Sequence, residues 1–77
     1  MEIKLKISNS LLSIYNNLEE EKTIIIDEVK TIGEILYIIG VNPLLTPIIL
    51  IENKKVTINH EVSKNTEITL IGPLMGG

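Results

Sequence analysis

Hydrophobic and charged residues alternate at the start of the chain. Every second residue from Ile3 to Ile7 is aliphatic and the residues between them are charged, which is the period expected of a strand with one buried face. We therefore predict a strand over 2–7. The run at 48–51 is aliphatic throughout, which is typical of a strand covered on both faces or of one with an adhesive outer face. Further strands are predicted over 22–27, 55–58 and 67–71.

The clearest helix signal follows the second predicted strand. Thr31 and Glu34 have the spacing of a capping box, in which two residues bond to each other's backbone at a helix N-terminus. The aliphatic residues behind them form one stripe at helical spacing: Ile32, Ile35, Leu36 and Ile39. Gly40 suits the left-handed residue that ends a helix. These features predict a helix over 31–39, in which Gly33 indicates a close neighbour, and which is too short to persist without packing on a sheet.

The segment 8–21 allows two interpretations. Its larger apolar residues fall at helical spacing behind Ser10, a candidate N-cap: Leu11, Ile14, Tyr15 and Leu18. One or two helical turns are therefore one interpretation, and an irregular loop is the other. The acidic run at 19–21 is interpreted as a solvated edge.

The order of the predicted elements is strand, strand, helix, strand, short strand, strand. A helix that covers one face of a small mixed sheet is the economical packing for this order. The fold class is therefore α+β, with a mixed sheet of four to five strands and one main helix packed on one face. The length of 77 residues suffices for one domain.

Composition excludes several classes of protein. The chain has 7 lysines, no arginine and 10 acidic residues, which gives a net charge of −3, whereas a nucleic-acid binder normally needs a clustered basic surface. The absence of cysteine rules out disulfides and thiolate zinc sites. No apolar run approaches the roughly 20 residues that span a membrane, and the charged N-terminal residues are unlike a signal peptide. We expect a soluble, cytoplasmic protein that binds no nucleic acid, membrane or metal.

An unusual segment follows the last predicted strand. Pro73 ends the hydrogen-bond ladder of that strand, because proline has no N–H donor. Gly76 and Gly77 lack Cβ atoms, so they can pass through a narrow cleft. We predict a domain over 1–72 followed by a flexible tail over 73–77, for which a merely frayed end is the alternative interpretation.

Three stretches resemble the MoaD/ThiS family of ubiquitin-like sulfur carriers. They are Thr31-Ile32-Gly33-Glu34-Ile35-Leu36, Ile51-x-Asn53-Lys54-Lys55-Val56 and Gly72-Pro73-Leu74-Met75-Gly76-Gly77. The resemblance covers nearly the whole chain and implies a β-grasp fold. One departure is Asn65-Thr66-Glu67, where family members commonly have Gly-Asp, although asparagine also tolerates a left-handed turn.

The resemblance implies a reaction at the carboxylate of Gly77. In this family an E1-like enzyme uses ATP to adenylate the terminal glycine, and a sulfur donor converts it into a thiocarboxylate. The sulfur then passes to an acceptor enzyme such as a molybdopterin synthase large subunit or a thiazole synthase, or into transfer-RNA thiolation. The chain would be a protein cosubstrate without catalytic residues or an intrinsic cofactor, and ATP would be used by the partner.

A carrier that docks with partners needs an exposed apolar patch. If Ile68 and Leu70 face the helix, Ile71 points to the opposite face of the sheet. We predict that Ile71 joins Ile49 or Ile51 there, together with Leu74 and Met75 of the tail. The alternative is that the segment 8–21 covers these residues.

Two other classes of function stay open at this point. The same tail would serve a protein modifier that is joined to lysines through Gly77. A β-grasp interaction module with an incidental end is a third possibility. A freestanding enzyme is disfavoured, since no nucleophile set, phosphate loop or paired carboxylates are present. His60, the acidic run at 19–21 and Lys54-Lys55 are interpreted as solvated.

Overall fold

The computed structural model describes residues 1–73. Its elements, in chain order, are β1 (Glu2–Ile7), α1 (Asn9–Leu12), β2 (Glu21–Ile25), β3 (Lys30–Thr31), α2 (Ile32–Ile39), a 3-10 turn (Pro43–Leu45), β4 (Ile48–Ile51), β5 (Lys54–Val56), β6 (Glu61–Val62) and β7 (Thr66–Ile71). The predicted α+β class is confirmed, and so are the five longer strands to within two residues at each end.

Within residues 1–73, five strands form the main sheet in the order β2-β1-β7-β4-β5. The central pair, β1 and β7, is parallel, and the other neighbours are antiparallel. The first and last strands of the described chain therefore lie side by side at the centre of the sheet, and β7 connects the two halves.

Helix α2 begins and ends as its sequence predicts. The Thr31 hydroxyl accepts a hydrogen bond from the Glu34 N–H at 3.2 Å, and the Glu34 carboxylate accepts from the Thr31 N–H at 2.9 Å. These bonds satisfy donors that a helix N-terminus would otherwise leave unpaired. Gly40 ends the helix at φ 79°, the left-handed conformation. The close neighbour expected at Gly33 is Ile58, whose carbonyl oxygen lies 2.8 Å from the Gly33 nitrogen.

The core lies between α2 and one face of the main sheet, which we call the inner face. Alternate residues of the central strands point into it, and α2 contributes the whole predicted apolar stripe. The fully buried side chains of the described chain are Ile3, Leu5, Leu11, Ile32, Ile35, Leu36, Ile68 and Leu70. Burial of such aliphatic side chains contributes about 1.5–3 kcal/mol each, so these residues hold the two layers together.

The segment 8–21 combines its two interpretations. It forms one helical turn, α1, capped by Ser8 instead of the predicted Ser10, and then continues irregularly to β2. Its apolar side chains pack against the core: Leu11, Leu12, Tyr15 and Leu18. The Tyr15 hydroxyl also accepts a hydrogen bond from the Asn42 N–H at 2.9 Å, just beyond α2. The segment is therefore part of the domain's packing.

Two short strands and the 3-10 turn were not predicted. Lys30 and Thr31 of β3 pair with Val62 and Glu61 of β6, and this small antiparallel ladder ties the start of α2 to the chain before β7. Over residues 1–73, no helix is long and apolar enough to cross a membrane.

Candidate functional site

Strand β7 carries two kinds of side chain on its two faces. Ile68 and Leu70 are fully buried on the inner face, so the condition set in the sequence analysis is met. Thr69 and Ile71 alternate with them and are half-buried on the opposite, outer face. Ile71 is the last residue of β7, and the chain runs from it directly into Gly72 and Pro73.

The register of β4 decides which residues accompany Ile71. Ile48 lies opposite Ile71, and Leu50 lies opposite Thr69, so both share the outer face because directly paired residues point the same way. We call Ile48, Leu50 and Ile71 the outer patch. All three are half-buried and form an apolar surface at the end of the sheet where the chain leaves β7.

The prediction that Ile49 or Ile51 lies beside Ile71 is wrong. Ile49 pairs with Leu70 and is 3% exposed, and Ile51 pairs with Ile68 and packs against the core. Both side chains point to the inner face, because the residue of β4 that pairs with Ile71 is Ile48 and not Ile49. The pattern of four aliphatic residues contains no polar position that would reveal this.

Charged side chains border the outer patch on both sides. A row of paired residues crosses the sheet from Lys6 through Thr69 and Leu50 to Lys55. Lys6 also forms an ion pair with Glu67 at 3.0 Å, and this hydrogen bond and the nearby carboxylate raise the pKa of Lys6. The patch therefore has an apolar centre, with Lys55 on one side and the ion pair of Lys6 and Glu67 on the other.

The chain is held firmly at the point where it leaves β7. Gly72 is buried, and its N–H donates a hydrogen bond to the Ser8 hydroxyl oxygen at 3.0 Å. Pro73 is half-buried. The other predicted tail residues, Leu74, Met75, Gly76 and Gly77, lie outside the described residues, so their proposed roles rest on the sequence.

The remaining candidates of the sequence do not form a site. His60 is exposed, and its backbone carbonyl accepts a hydrogen bond from the Ile32 N–H at 2.9 Å. A hollow of about 510 Å³ near His60 is lined mainly by exposed polar side chains such as Glu52 and Lys64, unlike the enclosed apolar pockets that bind small molecules. In the described part of the chain, no three histidine or acidic side chains are placed to hold a metal ion.

Sequence reasoning missed three residues of this region. Ile48 and Leu50 can be assigned to the outer face only when the register of β4 with β7 is known. The sequence placed Ile71 on that face but did not show which residues of β4 pair with β7. Ser8 was missed because its hydroxyl contacts a residue far along the chain, for which a single sequence gives no signal.

The five-stranded mixed sheet of residues 1–73, with α2 across its inner face, is a ubiquitin-like β-grasp fold. Two crystal structures that share it are of small archaeal modifier protein 1 (SAMP1) from Haloferax volcanii. One has a TM-score of 0.73 at 16% identity and covers 100% of both chains. The other has a TM-score of 0.70 at 15% identity and covers 95% of this chain and 98% of that chain. No protein-family model matches the sequence, and no curated protein matches it.

Proposed function

We propose that this chain is a ubiquitin-like sulfur carrier whose reacting group is the carboxyl group of Gly77. The supporting observation is the combination of a β-grasp fold, shared over the full length with SAMP1, with a Gly76-Gly77 sequence that follows β7. The folded domain would be the part of the chain that partner enzymes recognise and bind. The chain itself would supply no catalytic group, and the ATP would be bound by the activating enzyme in the cytoplasm.

The proposed reaction has two steps. A carboxylate oxygen of Gly77 attacks the α-phosphorus of ATP in the active site of an E1-like enzyme, and pyrophosphate leaves. Hydrosulfide, or a sulfur donor equivalent to it, then attacks the acyl carbon, and AMP leaves with the original oxygen. The product is a thiocarboxylate, which is a source of sulfur for molybdopterin, thiazole or transfer-RNA thiolation. Activation is needed because an oxygen of an unactivated carboxylate is a poor leaving group.

The outer patch is the proposed docking face for the activating enzyme. It lies next to Gly72, so a partner seated on it would be close to the point where the tail begins. The distance that the segment can bridge is short, since five residues from Pro73 to Gly77 span at most ~17 Å. A docking face near the tail therefore fits the requirement that Gly77 enter the partner's active site.

Mass spectrometry of the intact protein tests the proposal. The chain is incubated with its E1-like enzyme, magnesium ATP and sodium sulfide, and we expect the mass gain that corresponds to the replacement of one oxygen atom by sulfur. A chain extended by one alanine after Gly77 is the control and should gain nothing. No gain in the unmodified chain, with an enzyme shown to be active on ATP, would reject the proposal.

A substitution in the patch tests the docking face. Leu50→Ala should lower kcat/KM for adenylation by roughly tenfold, since a few central apolar residues dominate an interface. Ile38→Ala is the matched control, because Ile38 is a 51% exposed aliphatic residue on α2, in the other layer of the fold. Equal effects of the two substitutions would contradict docking through the outer patch.

A protein modifier is the second candidate, favoured by the name of the modifier protein that shares the fold. In that case a lysine amine of a target attacks the acyl adenylate, AMP leaves and an isopeptide bond forms. The last lysine of the sequence is Lys64, so trypsin would leave a long remnant on the target, but cyanogen bromide cleavage after Met75 would leave only Gly76-Gly77. Gly-Gly on lysines of cellular proteins after that cleavage would support this candidate, and its absence would favour the carrier.

A further inference from the structure

Ser8 connects the beginning of α1 to the end of β7. Its backbone N–H donates to the Leu70 carbonyl oxygen at 3.0 Å, and its hydroxyl oxygen accepts from the Gly72 N–H at 3.0 Å. The hydroxyls of Ser8 and Ser10 also lie 3.0 Å apart. Ser8 thus holds the backbone on both sides of Ile71.

The hydroxyl of Ser8 does not cap its own helix among the described residues. Ser8 is the N-cap of α1, with extended backbone angles of φ −70° and ψ 158°, and an N-cap serine ordinarily accepts a hydrogen bond from the second or third N–H of its own helix. Among the described residues, the Ser8 side chain makes no such bond. The third N–H of the helix, that of Leu11, donates to the Ser8 backbone carbonyl oxygen at 3.1 Å instead, beside the ordinary helical bond from the Leu12 N–H. The side-chain acceptor is therefore free to bind Gly72.

Helix α1 packs directly against the backbone of Gly72. A Cβ atom at this position would lie 2.7 Å from the Ser10 hydroxyl oxygen, 2.8 Å from Leu11 Cγ and 3.1 Å from the Leu11 nitrogen. Real Cβ atoms essentially never lie within 3.0 Å of such atoms, so any residue other than glycine would require the side chains of Ser10 and Leu11 to shift. Leu11 itself is fully buried, which anchors α1 in the core. Gly72 is thus enclosed by a fixed element.

We propose that Ser8 and α1 form a clasp that fixes the direction in which the chain leaves the main sheet, which makes Ser8 a positioning residue for the reaction at Gly77. This inference rests on the proposed function. A rotation at Gly72 would swing the following residues through a wide arc, whereas a fixed exit at Pro73 leaves fewer conformations to be lost when the carboxyl group enters a partner's active site. The hydrogen bond from the Gly72 N–H to the Ser8 hydroxyl holds the backbone at Gly72, where that rotation would begin.

The first test measures the clasp without any partner. In Ser8→Ala, amide hydrogen exchange of Gly72, followed by NMR in the folded protein, should accelerate by about tenfold or more, while the exchange of Ile68 and Leu70 amides stays unchanged. Ser8→Thr keeps the hydroxyl and should restore the slow exchange. Ser13→Ala is the matched control, since the Ser13 hydroxyl donates to the Ser10 carbonyl oxygen on the exposed side of α1. Unchanged exchange of Gly72 in Ser8→Ala would overturn the clasp.

The second test measures positioning. With the E1-like enzyme, Ser8→Ala should lower kcat/KM for adenylation by roughly three- to tenfold. Ser8→Thr should restore the wild-type value. The urea midpoint of each variant shows whether a lower kcat/KM comes from a loss of folding. If Ser8→Ala does not fold, Ser8→Cys, which has a weak acceptor of similar size, replaces it in both tests. Faster Gly72 exchange with unchanged adenylation would overturn the positioning role.

The two proposals fail in different ways. A wild-type chain that is never adenylated would reject the proposed function and with it the positioning role. The exchange rate of Gly72 would still report whether Ser8 holds the exit of β7. A clasp that is present in wild-type protein but without effect on a working adenylation reaction would reject the positioning role alone.

Discussion

The two faces of the main sheet differ although the same strands form both. On the inner face, the central strands bury aliphatic side chains completely, as at Leu5 and Leu70. On the outer face, the next residues along the same strands are charged or half-buried, as at Lys6 and Ile71. One face therefore carries the stability of the fold, and the other is available for recognition by a partner.

If the outer patch docks a partner as proposed, stability and recognition depend on different residues of the same strand. Leu70 and Ile71 are neighbours in sequence, yet one lies in the core and the other in the outer patch. Substitutions at adjacent positions should consequently have different effects, since side chains of a strand alternate between faces.

The largest expected effect is on the inner face. Leu70→Ala should lower the free energy of unfolding by about 2–5 kcal/mol, because it leaves a cavity in the core. Ile71→Ala should lower it by less than about 1 kcal/mol but should slow adenylation by the E1-like enzyme. Urea denaturation and an adenylation assay on both variants measure the two effects. Equal losses of stability would contradict the division of the faces.

A smaller loss of stability is expected from a substitution at Gly72, the residue that follows β7. Gly72→Ala should destabilise the fold by about 1–3 kcal/mol, because the new methyl group would overlap Ser10 and Leu11. Gly33→Ala is a useful control, since a Cβ atom there would lie no closer than 3.4 Å to Ile58. Thermal or urea unfolding should show a clearly smaller change for Gly33→Ala, and the reverse order would refute the tight packing at Gly72.

The next effect concerns α2, which covers only the inner face. Thr31→Ala removes the N-cap hydroxyl and should lower the free energy of unfolding by about 1 kcal/mol. It should leave adenylation unchanged at temperatures where the protein stays folded, because Thr31 lies in the layer opposite the outer patch. A loss of adenylation without a loss of stability would show that the helix layer also takes part in recognition.

The smallest effect is a dependence of stability on pH. The hydrogen bonds that the Thr31 backbone N–H and hydroxyl donate to Glu34 lower the pKa of its carboxyl group below the ordinary value of 4.5. The stabilisation is therefore present above that ordinary value and is lost as the pH falls through the lower pKa of the folded state. Glu34→Gln should reduce the difference in urea midpoint between pH 7 and pH 3. An unchanged pH dependence would show that Glu34 does not contribute to it.

The sequence predicts best where one local pattern decides the structure. The alternation in β1 and the capping box of α2 each identify an element within a few residues, because both depend on neighbours along the chain. The two-residue strands β3 and β6 are too short for any periodicity, and their pairing joins Lys30 to Val62. Such strands are defined by tertiary contacts alone.

The candidate site was predicted less completely than the fold. Ile71 was assigned to the outer face from the alternation of β7, whereas the aliphatic run of β4 gave no direction to its side chains. The pairing of Ile48 with Ile71 supplied that information. The bond from Gly72 to Ser8 likewise joins residues distant in sequence, so it emerges only from the folded chain.

The parallel pairing of β1 with β7 has a consequence for how the protein folds during its synthesis. Ile3 pairs with Thr66, so the middle of the sheet is incomplete until the ribosome has made the residues of β7. Sheets built from such distant segments form more slowly than helical bundles of similar length. Gly77 is translated after β7, so under the proposed function an activating enzyme that recognises the finished domain would not act on nascent or half-folded chains.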